Sequence, residues 1–220
     1  MVFGTLYTYT PNARILKILA AAQINGLNIN LAPDFRMGVT NRSAEFLTKF
    51  PMGKVPCFES SDGTLLFESD AIAQYVADYG PHREQLLGRN ALERALIRQW
   101  ICFADHEIME SVIELVQWRV GMTTFDAKVE QRYMASLRRG LQCVEKHLST
   151  RQWLVTEEKV SLADLSLASA LYWAFMQIID AKMREEFPSV TRWYRDVIAQ
   201  EEIRSVFADA TFICERRDHP

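Results

Sequence analysis

Apolar positions along the chain follow two periods, and the change from one to the other divides it in two. Residues 4–9 are short and aromatic-rich and read as a strand. Pro11-Asn12 breaks that pattern. Residues 13–23 then carry Ile15, Leu16, Ile18, Leu19 and Ala22 at helical spacing, and Asn25-Gly26 ends them. A second strand is expected over 27–31, a loop holding Gly38 over 33–40, and a short helix over 43–49 with Ser43 as its cap. Pro56 stands at the start of a strand over 56–59, where its missing N–H does no harm, and Ser60-Ser61-Asp62-Gly63 turns it into a partner over 64–67. Glu68-Ser69-Asp70 opens a helix that runs to about Tyr79, with Ile72, Tyr75 and Val76 on one face. The order is β-α-β-α-β-β-α. Gly80-Pro81-His82 stops the last helix, and 81–90 reads as a linker. Past Asn90 only helical spacing remains, over 91–118, 125–148, 161–180 and 188–199. The pattern therefore predicts an α/β domain over 1–80 and an all-α domain over 91–220.

Composition narrows the function without naming it. With 220 residues, 49% of them hydrophobic, the chain can build two cores, and 11% aromatic content argues against disorder. A net charge of −3 with no block of like charge speaks against a nucleic-acid surface. Cys57, Cys102, Cys143 and Cys214 are far apart, so neither a CxxC nor a zinc spacing occurs, and isolated reduced thiols are expected. The first residues lack a basic region and a long apolar run, so no signal peptide is expected and a cytoplasmic location is. Residues 162–179 are nearly all apolar but contain Asp164, Ser166, Ser169 and Gln177, which fits a buried central helix and not a membrane span.

Three short motifs carry more. Alone, Gly53-Lys54-Val55-Pro56 is a surface turn, and Phe67-Glu68-Ser69-Asp70-Ala71-Ile72 is a helix start with its cap. Ser161-Leu162-Ala163-Asp164 is a capping box with Asp in place of Glu, and Val160 ahead of it serves as an apolar staple. Together, at this spacing, they closely resemble the cytosolic glutathione transferases, and the resemblance covers nearly the whole chain. Thr5-Leu6-Tyr7-Thr8-Tyr9, Asn12-Ala13-Arg14 and Phe187-Pro188-Ser189-Val190-Thr191-Arg192-Trp193-Tyr194 resemble one branch, the transferase-like part of translation elongation factor 1B gamma and its stand-alone fungal relatives. That factor carries a further C-terminal domain. No such domain is expected for a sequence running to Pro220, so the resemblance is expected to be to the stand-alone fungal enzymes of secondary metabolism.

The resemblance implies a thioredoxin-like first domain, a cis bond before Pro56, glutathione as co-substrate, no metal, and a homodimer that touches neither nucleic acid nor membrane. It implies that the Val55 backbone pairs with the cysteine of glutathione. Glu68 and Ser69 would hold the γ-glutamyl end, Ser69 and the helix amides donating to its carboxylate and Glu68 accepting from its ammonium. Lys54 would meet the glycyl carboxylate, and Asn41 matches another family contact. Arg14 is either a ligand contact or the partner of an acid in the helical domain.

The reaction needs the thiolate. The free thiol has a pKa near ~8.5, and lowering it by about 2 units takes roughly 2.7 kcal/mol of preference for the anion, which one or two donors can supply. Related transferases place a Ser four residues before the conserved Arg. Here Thr10 stands before Arg14, a departure whose extra methyl crowds the sulfur, with Asn12, Tyr9 and Tyr7 as alternative donors. A hydrophobic electrophile would bind between the domains against the helix over 91–118, where Phe103, His106, Glu110 and Ile113 share a face and Trp118 and Met122 close it. His106 with Glu110 one turn on could orient or protonate a substrate, or be an ordinary surface pair. Three functions compete. One is an enzyme that conjugates glutathione or uses it to isomerise an activated alkene. The second is a non-catalytic scaffold in translation. The third, a redox protein, lacks the required Cys near 10–13.

Overall fold

The structure, a computed structural model, describes residues 2–219. Strands β1 (Val2–Tyr7), β2 (Asn28–Leu31), β3 (Cys57–Ser60) and β4 (Leu65–Phe67) form one sheet in the order β2-β1-β3-β4. β1 and β2 run parallel, and the other two pairings are antiparallel. The parallel pair is joined through α1 (Leu16–Ile24), as a parallel connection requires. α1 and α3 (Ser69–Tyr79) bury Leu6, Ile18, Phe58 and Ile72 completely. On the opposite face α2 (Ala44–Lys49), capped by the Ser43 hydroxyl, lays Phe46 against Tyr7, Phe50 and Cys57. Tyr7 donates to Glu59, and Lys49 pairs with the same carboxylate, tying α2 to the sheet. Lys49 and then Tyr7 hold the Glu59 carboxyl below its usual range. This confirms the expected α/β first domain and assigns Tyr7 to packing.

The second domain holds α5 (Ala91–Phe103), α6 (Glu110–Arg119), α7 (Ala127–Leu148), α8 (Leu162–Gln177), α9 (Ala181–Glu186) and α10 (Pro188–Ile198). α8 is buried nearly all round and packs on both α1 and α5, so the cores of the two domains merge. Among the described residues no helix is long and apolar enough to cross a membrane. Its start is fixed by Asp164, whose carboxylate accepts from the Leu154 and Ser161 amides, the Ser161 hydroxyl and the Trp193 indole, each at 2.9 Å.

Three details differ from the pattern. The expected linker contains a short helix, α4 (Arg83–Leu87), because Leu86 and Leu87 bury themselves against α3 and α8. A turn of 3-10 helix, Ala13–Ile15, precedes α1, with Asn12 as its cap. The uninterrupted helix expected over 91–118 is broken by a π-helical segment, Ala104–Met109, between α5 and α6. Wider π turns rotate everything beyond them relative to α-helical spacing. The four-residue faces counted from the sequence therefore do not survive.

Candidate active site

A cleft of about 370 Å³ opens between the domains, lined by the Phe50–Cys57 loop, the β4–α3 corner, Arg14 and Asp105. Local rules build the loop. Gly53 has φ of +56°, and a Cβ there would stand 2.7 Å from the Asn41 carbonyl oxygen, so glycine alone fits. The Asn41 amide donates to the Gly53 carbonyl and accepts from the Gly38 N–H, each at 2.6 Å. Cys57 Sγ donates to the Lys54 carbonyl at 3.0 Å. The Val55–Pro56 bond is cis, and the Val55 amide and carbonyl take no hydrogen-bond partner among the described residues. Burial, then the Glu68 charge, pushes the Cys57 thiol up to about 12, so it is a packing group and not a nucleophile.

Across the loop, Glu68 sits at φ +70°, a conformation that non-glycine residues adopt at a cost of about 1–3 kcal/mol. That turn brings its side chain and the first residue of α3, Ser69, to the same cleft. The Ser69 hydroxyl, the Glu68 carboxylate and the Lys54 ammonium have no hydrogen-bond partner among the described residues. Beside the Arg14–Asp105 pair, the cleft so presents a helix N-terminus with a hydroxyl, one unpaired anion and one unpaired cation, which suits a ligand carrying two carboxylates and an ammonium. Behind Ser69, the buried Lys17 ammonium pairs with Asp70. Asp70 shares the helix N-terminus that an incoming carboxylate must approach, and Lys17 balances its charge. Lys17→Met is therefore expected to lower stability by about 3 kcal/mol, because it leaves a carboxylate half-buried and unpaired. A urea midpoint unchanged from the parent protein would refute that pairing.

The structure distributes the sequence-derived candidates unevenly. Lys54, Val55, Pro56, Glu68, Ser69 and Arg14 line the cleft together. Arg14 donates to Asp105 at 2.6 Å, so the acid expected in the helical domain is found, in the π segment. Asn41 requires correction: at 0% exposure with both ends of its amide engaged, it shapes the loop from beneath and reaches no ligand. Thr10 and Asn12 are also displaced. They line a separate groove on the other side of the turn that leads into α1. Asn12 is buried, donating to the Thr8 hydroxyl and accepting from the Arg14 amide, which the 3-10 start of the helix demands. Tyr9 is half-buried and lines neither cavity.

None of the six electrophile-site candidates lines the cleft. Phe103 packs edge-on against Trp100 and faces a groove beside Cys143 and His147. His106 and Glu110 are exposed, and Ile113 packs on the core. The Trp118 indole donates to Glu130, to which Arg119 makes a two-pronged ion pair, while Met122 is 70% exposed. Asp105, inside the π segment, lines the cleft instead. Reading the sequence missed Asp105, Lys17 and the Asp70 pairing, and only Asp70, inside a quoted motif, had any local signal.

The comparisons agree with this architecture. The model of the glutathione S-transferase N-terminal domain matches residues 3–78, and that of the glutathione S-transferase C-terminal domain matches 103–201. The glutathione S-transferase-like protein FUS3 of Gibberella moniliformis is 54% identical over 215 residues, 98% of this chain and 97% of that protein. Among solved structures, the GST-like domain of elongation factor 1-gamma from Saccharomyces cerevisiae superposes with a TM-score of 0.85 at 25% identity, covering 100% of both chains. The glutathione transferase URE2P6 from Phanerochaete chrysosporium, solved in complex with oxidized glutathione, reaches 0.85 at 22% identity over 95% of this chain and 96% of that one, a likeness of fold. The chain belongs to the glutathione S-transferase family and contains both of its domains.

Proposed function

We propose that the protein binds glutathione in the Val55–Ser69 cleft, holds its thiol as the thiolate, and delivers it to an apolar electrophile. The observation that carries this reading is the convergence of the Ser69 hydroxyl at the α3 N-terminus, the Glu68 carboxylate and the Lys54 ammonium on one cleft beside the unpaired Val55 backbone. Val55 pairs with the cysteine backbone of glutathione as an added strand would. Arg14, on the cleft wall, favours the thiolate by charge, tempered by Asp105. The thiolate then forms a carbon–sulfur bond to an activated alkene. Protonation of the neighbouring carbon gives a conjugate. Rotation about the new single bond followed by loss of the thiolate gives the geometric isomer instead. Either outcome suits a fungal secondary-metabolite enzyme.

Four free cysteines fit a reducing, cytoplasmic setting. Met52 and Phe67 are exposed apolar groups on the cleft wall, and Leu65 on β4 and Leu92 on α5 are others, which supports a homodimer; light scattering is expected to give twice the mass of the chain, and the mass of a single chain would refute it. A second reading, a scaffold without catalysis, draws on the likeness to the elongation-factor domain. Calorimetric titration with glutathione separates the two. Saturable binding, with a new thiolate absorbance at neutral pH, is the expected result, and a flat titration points to the scaffold.

A further inference from the structure

The groove beside Cys143 has a chemistry of its own. It opens to about 500 Å³ between α5, α7 and the segment that follows α7. Trp100 and Phe103 make one wall apolar, and the charged side chains that line it, Lys146 and Arg151, are both basic. Neither of those two takes an ion-pair partner among the described residues. Cys143 and His147 stand one helical turn apart on α7 and line the same groove. A helical side chain leans back over the preceding turn, so position 147 lies over position 143. The His147 ring is braced by the Trp100 ring, 4.7 Å away between centroids. Its Nε2 stands 2.7 Å from the Leu154 carbonyl oxygen, which can only accept, so in the neutral ring Nε2 carries the proton. That leaves Nδ1 as an acceptor with no partner among the described residues.

We infer that Cys143 is a thiol–disulfide exchange site, separate from the cleft, for a disulfide that carries carboxylates, as glutathione disulfide does. A nucleophile, a base one turn away and a third group that orients the base are the parts such chemistry needs. Lys146 and Arg151 draw in the carboxylates of the reagent. Nδ1 of His147 takes the proton of the Cys143 thiol. The Cys143 sulfur bonds to one sulfur of the disulfide, and the bond between the reagent's two sulfurs breaks. The second glutathione leaves as a thiolate and takes the proton back from the imidazolium. The products are a mixed disulfide on Cys143 and one glutathione, and excess glutathione runs the step backwards. The other three cysteines lack these parts. Cys57 is buried and donates to the Lys54 carbonyl. Cys102 has His106 four positions on, but the π segment that begins at Ala104 comes between them. Cys214 lies outside the helices and strands, beside Glu215. No residue of this groove lines the cleft, so the inference stands apart from the glutathione reading above.

The test uses the full reduced chain and two probes, glutathione disulfide and the uncharged 2-hydroxyethyl disulfide, with each thiol followed in time by peptide mass spectrometry. With glutathione disulfide, Cys143 is expected to react about tenfold faster than Cys214, which is the exposed thiol of comparison within the same chain. Lys146→Gln combined with Arg151→Gln is expected to slow Cys143 about tenfold with glutathione disulfide and to leave its rate with 2-hydroxyethyl disulfide unchanged. His147→Gln keeps a donor for the Leu154 carbonyl and is expected to slow both probes by about tenfold. Equal rates at Cys143 and Cys214 overturn the site. So does a rate with glutathione disulfide that stays at the parent value in the two-cation variant or in His147→Gln. If His147→Gln fails to fold, the two-cation variant still decides, because Lys146 and Arg151 are exposed. Ser69→Ala, on the cleft, is expected to leave the Cys143 rate at the parent value, and a fall there would make the cleft and not this groove the source of the reactivity. Should the parent protein not bind glutathione, the cleft reading fails, and the labelling of Cys143 still decides the groove.

Discussion

Ser69→Ala is expected to weaken glutathione binding by about one to two orders of magnitude. The hydroxyl stands at the first residue of α3, where helix amides and the helix dipole already favour a carboxylate. A hydrogen bond to a charged group contributes about 1.5–3 kcal/mol, and 1.4 kcal/mol is a factor of ten. Ser69 caps no amide by its side chain, so the helix itself loses little and the urea midpoint should hold within about 0.5 kcal/mol. Glu68→Gln keeps the shape and removes the charge that meets the ammonium, and a loss of similar size is expected. Calorimetric titration of both variants reads the effect directly. Parent-like affinity in both, at unchanged stability, removes the γ-glutamyl subsite from this corner and with it the proposed orientation of the tripeptide.

The largest effect on stability is expected far from the cleft, at Asp164. Its carboxylate is fully buried and accepts four hydrogen bonds that join the start of α8 to Leu154 and to Trp193 on α10. Burial pushes its carboxyl up, and those four donors work against that push. Asp164→Ala leaves them buried without an acceptor at about 1–3 kcal/mol each, tempered by local relaxation, so a total of about 4 kcal/mol or more is expected. For a chain of this size that lowers the melting temperature by about 10 °C. Asp164→Asn retains one acceptor oxygen but turns an amide N–H₂ toward the Ser161 donors, and an intermediate loss is expected. Thermal unfolding that places both variants within 2–3 °C of the parent would show that this network contributes far less than its burial implies. Because α8 packs on α1 as well as α5, loss of Asp164 is also expected to loosen the turn between cleft and groove.

Both sites lie in short stretches of sequence whose local structure can be read directly. Glu68 and Ser69 were legible as a helix start because that feature is local, and the ligand role proposed for them came from the family resemblance. A turn, a helix start and a hydroxyl at its first position follow from six consecutive residues, and the G-K-V-P segment supplies the facing wall from four more. Asp164 was legible as a cap for the same reason, since Ser161 and Asp164 answer each other within one helical turn. The α/β order, the helical second half and the buried character of α8 follow from periodicity, which is a property of neighbours in sequence.

Everything that depended on how helices rotate and where distant segments meet was decided by the tertiary structure. The face built from Phe103, His106, Glu110 and Ile113 assumed 3.6 residues per turn, and the π segment Ala104–Met109 changed that count without any composition that announces it. Asp105 reached Arg14 instead, across 91 residues of sequence. Asn41 had the right residue type for a ligand contact, yet Gly38 and Gly53 enclose it. Thr10 stood at the right distance from Arg14 along the chain, with Asn12 as an alternative, and both lie on the far side of their own turn from the cleft. Local hydrogen bonding and hydrophobic period are written in short stretches of sequence and determined the elements and the helix start at Glu68-Ser69. The direction in which a side chain points from an element depends on packing against residues tens of positions away, so the wall of the cleft, the groove beside it and the partner of each buried charge were settled by the fold alone.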